Sequence, residues 1–97
     1  MLRVVSHPEA DEELEAASLW YEKRQPELGD GFLDDFEKTL RRILESPERR
    51  RLIRGNNRKL NFDCFPYAIV YSIENDCLYI KAVMDLRRRP FYWKHRE

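Results

Sequence analysis

Apolar residues recur along this chain first at helical spacing and then at strand spacing, and the period changes near residue 58. Leu2 to Val5 is a short apolar run broken by Arg3, and Ser6-His7-Pro8 stops it with a residue that cannot extend a sheet ladder. These residues predict a strand over 2–6. Ser6 followed by Glu9 has capping-box spacing, with Pro8 tolerated in a first turn whose N–H groups are unpaired, so a helix should start here. Ala10, Leu14, Ala17 and Tyr21 form its apolar stripe, Ala16 and Trp20 widen it, and Glu12, Glu13 and Glu15 fall mostly on the other side. That helix should run to about Arg24. Residues 25–31 hold a proline and two glycines, enough to turn the chain back. Phe32, Phe36, Leu40 and Ile43, with Leu33 and Leu44 beside them, then predict a second helix over about 31–45, ended by Ser46-Pro47.

Residues 48–57 read as a polar loop containing Arg49-Arg50-Arg51 and Gly55-Asn56-Asn57. From Arg58 the period is 2. Leu60 and Phe62 alternate with Lys59 and Asn61; Tyr67, Ile69, Tyr71 and Ile73 share one face of the next strand; Leu78, Ile80, Ala82 and Met84 share one face of the last, after a Glu74-Asn75-Asp76 turn. The order strand, helix, helix, strand, strand, strand predicts an α+β fold, with a helical hairpin packed on one face of a small antiparallel sheet. We expect residues 1–97 to form one domain.

Length and charge narrow the function classes. The chain has 97 residues, 42% hydrophobic and 37% charged, so one modest core and a charged exterior are expected rather than a large internal cofactor cavity. The longest apolar run, Tyr67 to Tyr71, is five residues where a membrane span needs about 20, and Arg3 and His7 interrupt the stretch a signal peptide would need. A cytoplasmic protein without a membrane partner is expected. Cys64 and Cys77 have no metal or redox spacing and read as small, semi-buried apolar residues; His7 and His95 lie at opposite ends of the chain. No metal and no cofactor are expected. The zero net charge conceals a division: residues 1–48 carry 6 Lys+Arg against 13 Asp+Glu, and residues 49–97 carry 12 against 5. An acidic half is joined to a basic one, which reads either as helix surfaces complementing sheet surfaces or as a local basic face on a neutral protein that an anionic partner would meet.

That basic half ends in Arg87-Arg88-Arg89-Pro90-Phe91-Tyr92-Trp93. Arginines clamp phosphates and aromatic rings stack on bases, so the segment has the ingredients for contact with nucleic acid. The alternative is that Tyr92 and Trp93 anchor the C-terminus while the arginines pair with the acidic helices. Arg58 and Lys59 open the neighbouring strand and are candidates to join this segment across the sheet. No glycine loop matches a phosphate-cradling pattern, and no serine or cysteine stands in a nucleophile motif. Acid–base candidates near the basic segment are Asp85, Tyr92 and His95.

Five segments in order carry a resemblance over nearly the whole chain: His7-Pro8-Glu9-Ala10 with Asp11 and Leu14; Trp20-Tyr21-Glu22; Leu28-Gly29-Asp30-Gly31-Phe32; Phe65-Pro66-Tyr67-Ala68-Ile69-Val70-Tyr71; and Arg87 to Trp93. Together they resemble the RelE/ParE family of bacterial type II toxin-antitoxin toxins, also described as plasmid stabilisation proteins. The resemblance implies a small α+β fold with a twisted antiparallel sheet and an N-terminal helical hairpin. It also implies a growth-inhibiting toxin silenced by a cognate antitoxin in a hetero-oligomer. One branch of the family poisons DNA gyrase and another cleaves mRNA in the ribosome; the Leu-Gly-Asp-Gly-Phe and Phe-Pro-Tyr segments resemble the ParE branch. Many relatives carry a histidine followed by x-Arg-Arg near the end of the last strand, where this chain has Asp85 followed by Leu86-Arg87-Arg88. A carboxylate there repels phosphate and is a poor general acid near neutral pH. The expected function is therefore target binding, with Arg87, Arg88 and Arg89 as contact residues. In the enzymatic alternative, a ribosome-dependent endonuclease, Arg58, Lys59, Arg87 and Arg88 would hold phosphate and Tyr92 would position it. A third reading is an inactive remnant that only binds its antitoxin.

Overall fold

The computed structural model describes residues 2–96. Strand β1 (Arg3–Ser6) leads into helix α1 (Pro8–Arg24), helix α2 (Leu28–Glu45) and strands β2 (Leu52–Arg54), β3 (Asn57–Asn61), β4 (Tyr67–Glu74) and β5 (Cys77–Asp85). The sheet order is β1-β5-β4-β3-β2. All pairings are antiparallel except that of β1 with β5, which is parallel and makes the sheet mixed. The expected α+β architecture stands, with both helices on one face.

Four local expectations are corrected. His7, not Ser6, caps α1: its Nδ1 accepts from the Glu9 N–H at 3.1 Å, with Pro8 in the first turn. Helix α2 starts three residues before the expected Gly31, because Glu22 of α1 takes over the capping. Its carboxylate accepts from the Glu27 and Gly29 N–H groups, each at 3.0 Å, so Gly29 and Gly31 are helical rather than part of a turn. A Cβ on Gly29 would lie 2.5 Å from the Ser18 carbonyl oxygen, so the close approach of the two helices requires glycine there. The expected loop over 48–57 contains β2, an edge strand held to β3 by the pairs Leu52–Arg58 and Arg54–Asn57 despite the polar surroundings. Cys64 is exposed and only Cys77 is half-buried; both are free thiols.

The last strand brings the most consequential difference. Val70 pairs with Ala82 but Tyr71 pairs with Ile80, so Lys81 is an extra residue in β5, a bulge. Every side chain after it changes face relative to a regular strand. Leu78 and Ile80 pack under the helices with Phe32, Ile43, Ile69 and Tyr71, and beyond the bulge Val83 takes that side. Ala82 and Met84 instead face the other way, where with Ala68 and Val70 they form a second small core under Trp93. The chain after β5 therefore has an apolar surface to fold onto. Turns over residues 91–96, closed by Lys94 N–H to the Phe91 carbonyl at 3.0 Å and Arg96 N–H to the Trp93 carbonyl at 2.9 Å, seat it there.

Candidate functional site

A groove of about 390 Å³ opens between α1 and the end of β5. Ala16, Ala17 and Trp20 of α1 form one wall, Tyr67 and Val83 of the sheet the floor, and Asp85, Arg87, Arg88 and Tyr92 the opposite rim. Ala16 and Trp20, expected to widen the core stripe, line this groove instead, and Trp20 is 47% exposed. Arg24 lies over its ring at 3.9 Å. An exposed indole in a concave apolar surface with cations at the rim is the composition of a protein-binding hot spot.

Glu13 organises the groove. The β1–β5 pairing ends at Ile80, where the chain turns into α1, so the far half of β5 has no strand on that edge. Glu13 supplies the missing acceptor: its Oε1 takes the Val83 N–H at 3.0 Å. The same carboxylate accepts from Tyr92 Oη at 2.7 Å and from Arg96 Nη1 and Nη2 at 2.9 and 3.0 Å, while Arg88 Nη1 lies 3.7 Å away. Arg96 also donates to the Lys81 carbonyl at 3.1 Å, so the bulge is part of the arrangement. Burial works against the Arg96 charge, but the bonds to Glu13 outweigh it and hold the guanidinium pKa above its ordinary value. Burial, reinforced by the hydrogen bond to Glu13, pushes the Tyr92 hydroxyl well above the ordinary phenol range. Arg88 stacks on the Tyr92 ring at 3.9 Å.

Asp85 makes a second clamp. It accepts from Arg87 Nε and Nη2, both at 2.8 Å, and from the Arg87 backbone N–H at 2.9 Å. That bidentate pair holds the Asp85 carboxyl below the usual carboxylate range and raises the Arg87 guanidinium. A depressed folded-state pKa contributes stability above the ordinary aspartate range, and the contribution is lost as pH falls through the folded value. Burial and the neighbouring Asp85 raise the Tyr67 hydroxyl.

Of the residues singled out in the sequence, the fold brings Arg87, Arg88 and Tyr92 together at the groove. Arg89 and His95 are exposed and lie outside its lining, and Arg58 and Lys59 do not converge. Arg58 stands opposite Tyr71 on the helix-facing side, with its Nε on the Arg50 carbonyl at 2.8 Å. Lys59 stands opposite Val70 on the other face and borders a cavity of about 110 Å³ with Ile53, Met84, Pro90, Phe91 and Trp93. Sequence reasoning missed Glu13, grouping it with the solvent-facing acids, although it lies three residues after Ala10 and four before Ala17, on the buried stripe. Among the described residues no three His, Cys, Asp or Glu side chains gather as metal ligands, and no helix is long and apolar enough to cross a membrane.

Residues 4–90 match the family model described as ParE toxin of type II toxin-antitoxin system, parDE. No curated protein matches the sequence. Among solved structures, one of the chromosomal ParDE TA system from P. aeruginosa superposes with a TM-score of 0.78 at 14% identity, covering 90% of this chain and 98% of the other. At that identity the likeness concerns the fold; membership rests on the family model, which spans most of the sequence. This chain belongs to the ParE toxin family of type II toxin-antitoxin systems.

Proposed function

We propose that this protein is a toxin that inhibits growth in the cytoplasm by binding an essential target such as DNA gyrase through the groove between α1 and β5, and that a cognate antitoxin neutralises it in a hetero-oligomeric complex. The observation that carries the reading is the pairing of the groove's polar groups. Cleavage of RNA through its 2′-hydroxyl needs a base and an acid that exchange protons near neutral pH. Asp85 is held ionised by Arg87, and Tyr92 is held protonated by burial and by Glu13. Neither group is poised for proton transfer. The arginines still present binding surface, because the Arg87 and Arg88 side chains are 62% and 54% exposed beside Trp20.

Purified protein added to a DNA supercoiling reaction should block it, while mapping of 5′ ends on ribosome-bound message should show no discrete cuts. Co-expression with the product of the adjacent gene should restore growth and give one co-eluting species. Discrete cuts that disappear in Arg87→Ala would instead establish the ribosome-dependent endonuclease. Antitoxin binding with neither effect would identify an inactive remnant.

A further inference from the structure

The β2–β3 hairpin carries charge that the groove does not use. Six cations, Arg49, Arg50, Arg51, Arg54, Arg58 and Lys59, fall within eleven residues that contain no Asp or Glu. Among the described residues none of the six forms an ion pair, whereas Lys38, Arg42, Arg87, Arg88 and Arg96 do. Two of the six are also fixed in place around Tyr71. Its hydroxyl donates to the Pro47 carbonyl at 2.7 Å, and Arg58 Nε donates to the Arg50 carbonyl at 2.8 Å. Burial raises the Tyr71 hydroxyl pKa, and the charges of both Arg58 and Arg50 oppose that rise, so both guanidiniums lie near it. The Arg50 Nε is enclosed and has no acceptor. With Nε enclosed, contact with an anion falls to the outer guanidinium nitrogens of Arg50 and Arg58, whose charge near the Tyr71 hydroxyl is balanced by no carboxylate among the described residues and would be neutralised by an oxyanion.

We propose that Arg50 and Arg58 form a phosphate-binding site that takes a backbone phosphate of nucleic acid, with the exposed Arg49, Arg51 and Arg54 contributing to the flanking charge. The chemistry fits because guanidinium forks match phosphate oxygens and because a dense unpaired cation run along a strand edge is the electrostatic footprint of a polyanion site. Lys59 points to the opposite face of the sheet, so this pair is not the basic cluster of the endonuclease alternative. The site does not depend on the groove or on its target.

The test is binding of a labelled random-sequence duplex, followed by fluorescence anisotropy between about 50 and 200 mM salt. Arg50→Gln with Arg58→Gln should weaken binding uniformly across sequences and reduce the slope of log affinity against log salt by about 1, for the one phosphate contact the pair shares. Arg50→Lys, which keeps the charge but loses the fork, should retain most of the slope and guards against a folding defect. Arg87→Gln with Arg88→Gln should bind the duplex as the unmodified protein does. Unchanged duplex affinity in the Arg50/Arg58 variant overturns the proposal, as does loss of binding only in the Arg87/Arg88 variant. Inorganic phosphate supplies the remaining arm. Perturbation of the Arg50 Nε–H resonance together with displacement of the duplex supports the site, whereas perturbation without duplex binding limits it to free phosphate and overturns the nucleic-acid assignment.

Discussion

Trp93→Ala should destabilise the protein by about 3–5 kcal/mol, measured as a drop in the denaturation midpoint with urea. The indole is 1% exposed and is the largest of the fully buried side chains. It fills the outer face of the sheet against Ala68, Val70, Ala82 and Met84, with the Phe91 ring 5.7 Å away. Three of those four neighbours are small or short, so truncation leaves a void that they cannot close. Against a total stability of roughly 5–15 kcal/mol for a domain, such a loss is severe. Trp93→Phe should cost much less, because the indole N–H has no hydrogen-bond partner to lose and the phenyl ring restores most of the volume. A loss below about 1 kcal/mol for Trp93→Ala would mean that the C-terminal turns do not pack on the sheet.

Glu13→Ala should be as damaging, at about 3–5 kcal/mol, for an electrostatic reason. The Arg96 side chain is 5% exposed, and its Nη groups depend on Glu13 and the Lys81 carbonyl. Removing the carboxylate leaves that buried guanidinium only the Lys81 carbonyl and the exposed Glu9 at 3.6 Å, and leaves the Val83 N–H and the Tyr92 hydroxyl without acceptors. Glu13→Gln retains an acceptor for Val83 and should fall between wild type and Ala. A cycle with Arg96→Ala distinguishes this from simple packing loss: the double variant should be more stable than the sum of the single losses predicts, by well over 0.5 kcal/mol. Additivity within about 0.5 kcal/mol would show that the two side chains act independently.

The helices and the long strands were legible in the sequence because their apolar residues recur at helical or strand spacing. Phe32 and Ile43 of α2 and Ile69 and Tyr71 of β4 lie where their spacing puts them, in one core. What the sequence did not show depends on contacts between distant residues. No local signal marks Lys81 as a bulge; its neighbours Leu78, Ile80, Ala82 and Met84 alternate without interruption, and the break is bound up with Arg96, fifteen residues on. Strand β2 was hidden because its three residues, Leu52-Ile53-Arg54, are too few to show a period and follow an arginine run that reads as loop. The capping of α2 by Glu22 spans the helical hairpin and has no counterpart in a local capping rule. The separation of Arg58 from Lys59 was available without a structure, since successive residues of a strand face opposite sides. Of the candidate site, the rim of Arg87, Arg88 and Tyr92 was visible as composition, whereas the clamp by Asp85 and the role of Glu13 required the fold.

Growth inhibition by Arg87→Gln with Arg88→Gln, measured beside its thermal unfolding, tests whether the groove rim is the working surface. Both arginines are ion-paired yet largely exposed, where solvent screens the pairs, so removing them should leave folding nearly unchanged. The double variant is predicted to unfold close to wild type and to have lost its toxicity. A variant that stays folded and still arrests growth would contradict the assignment of the target-binding site to this groove.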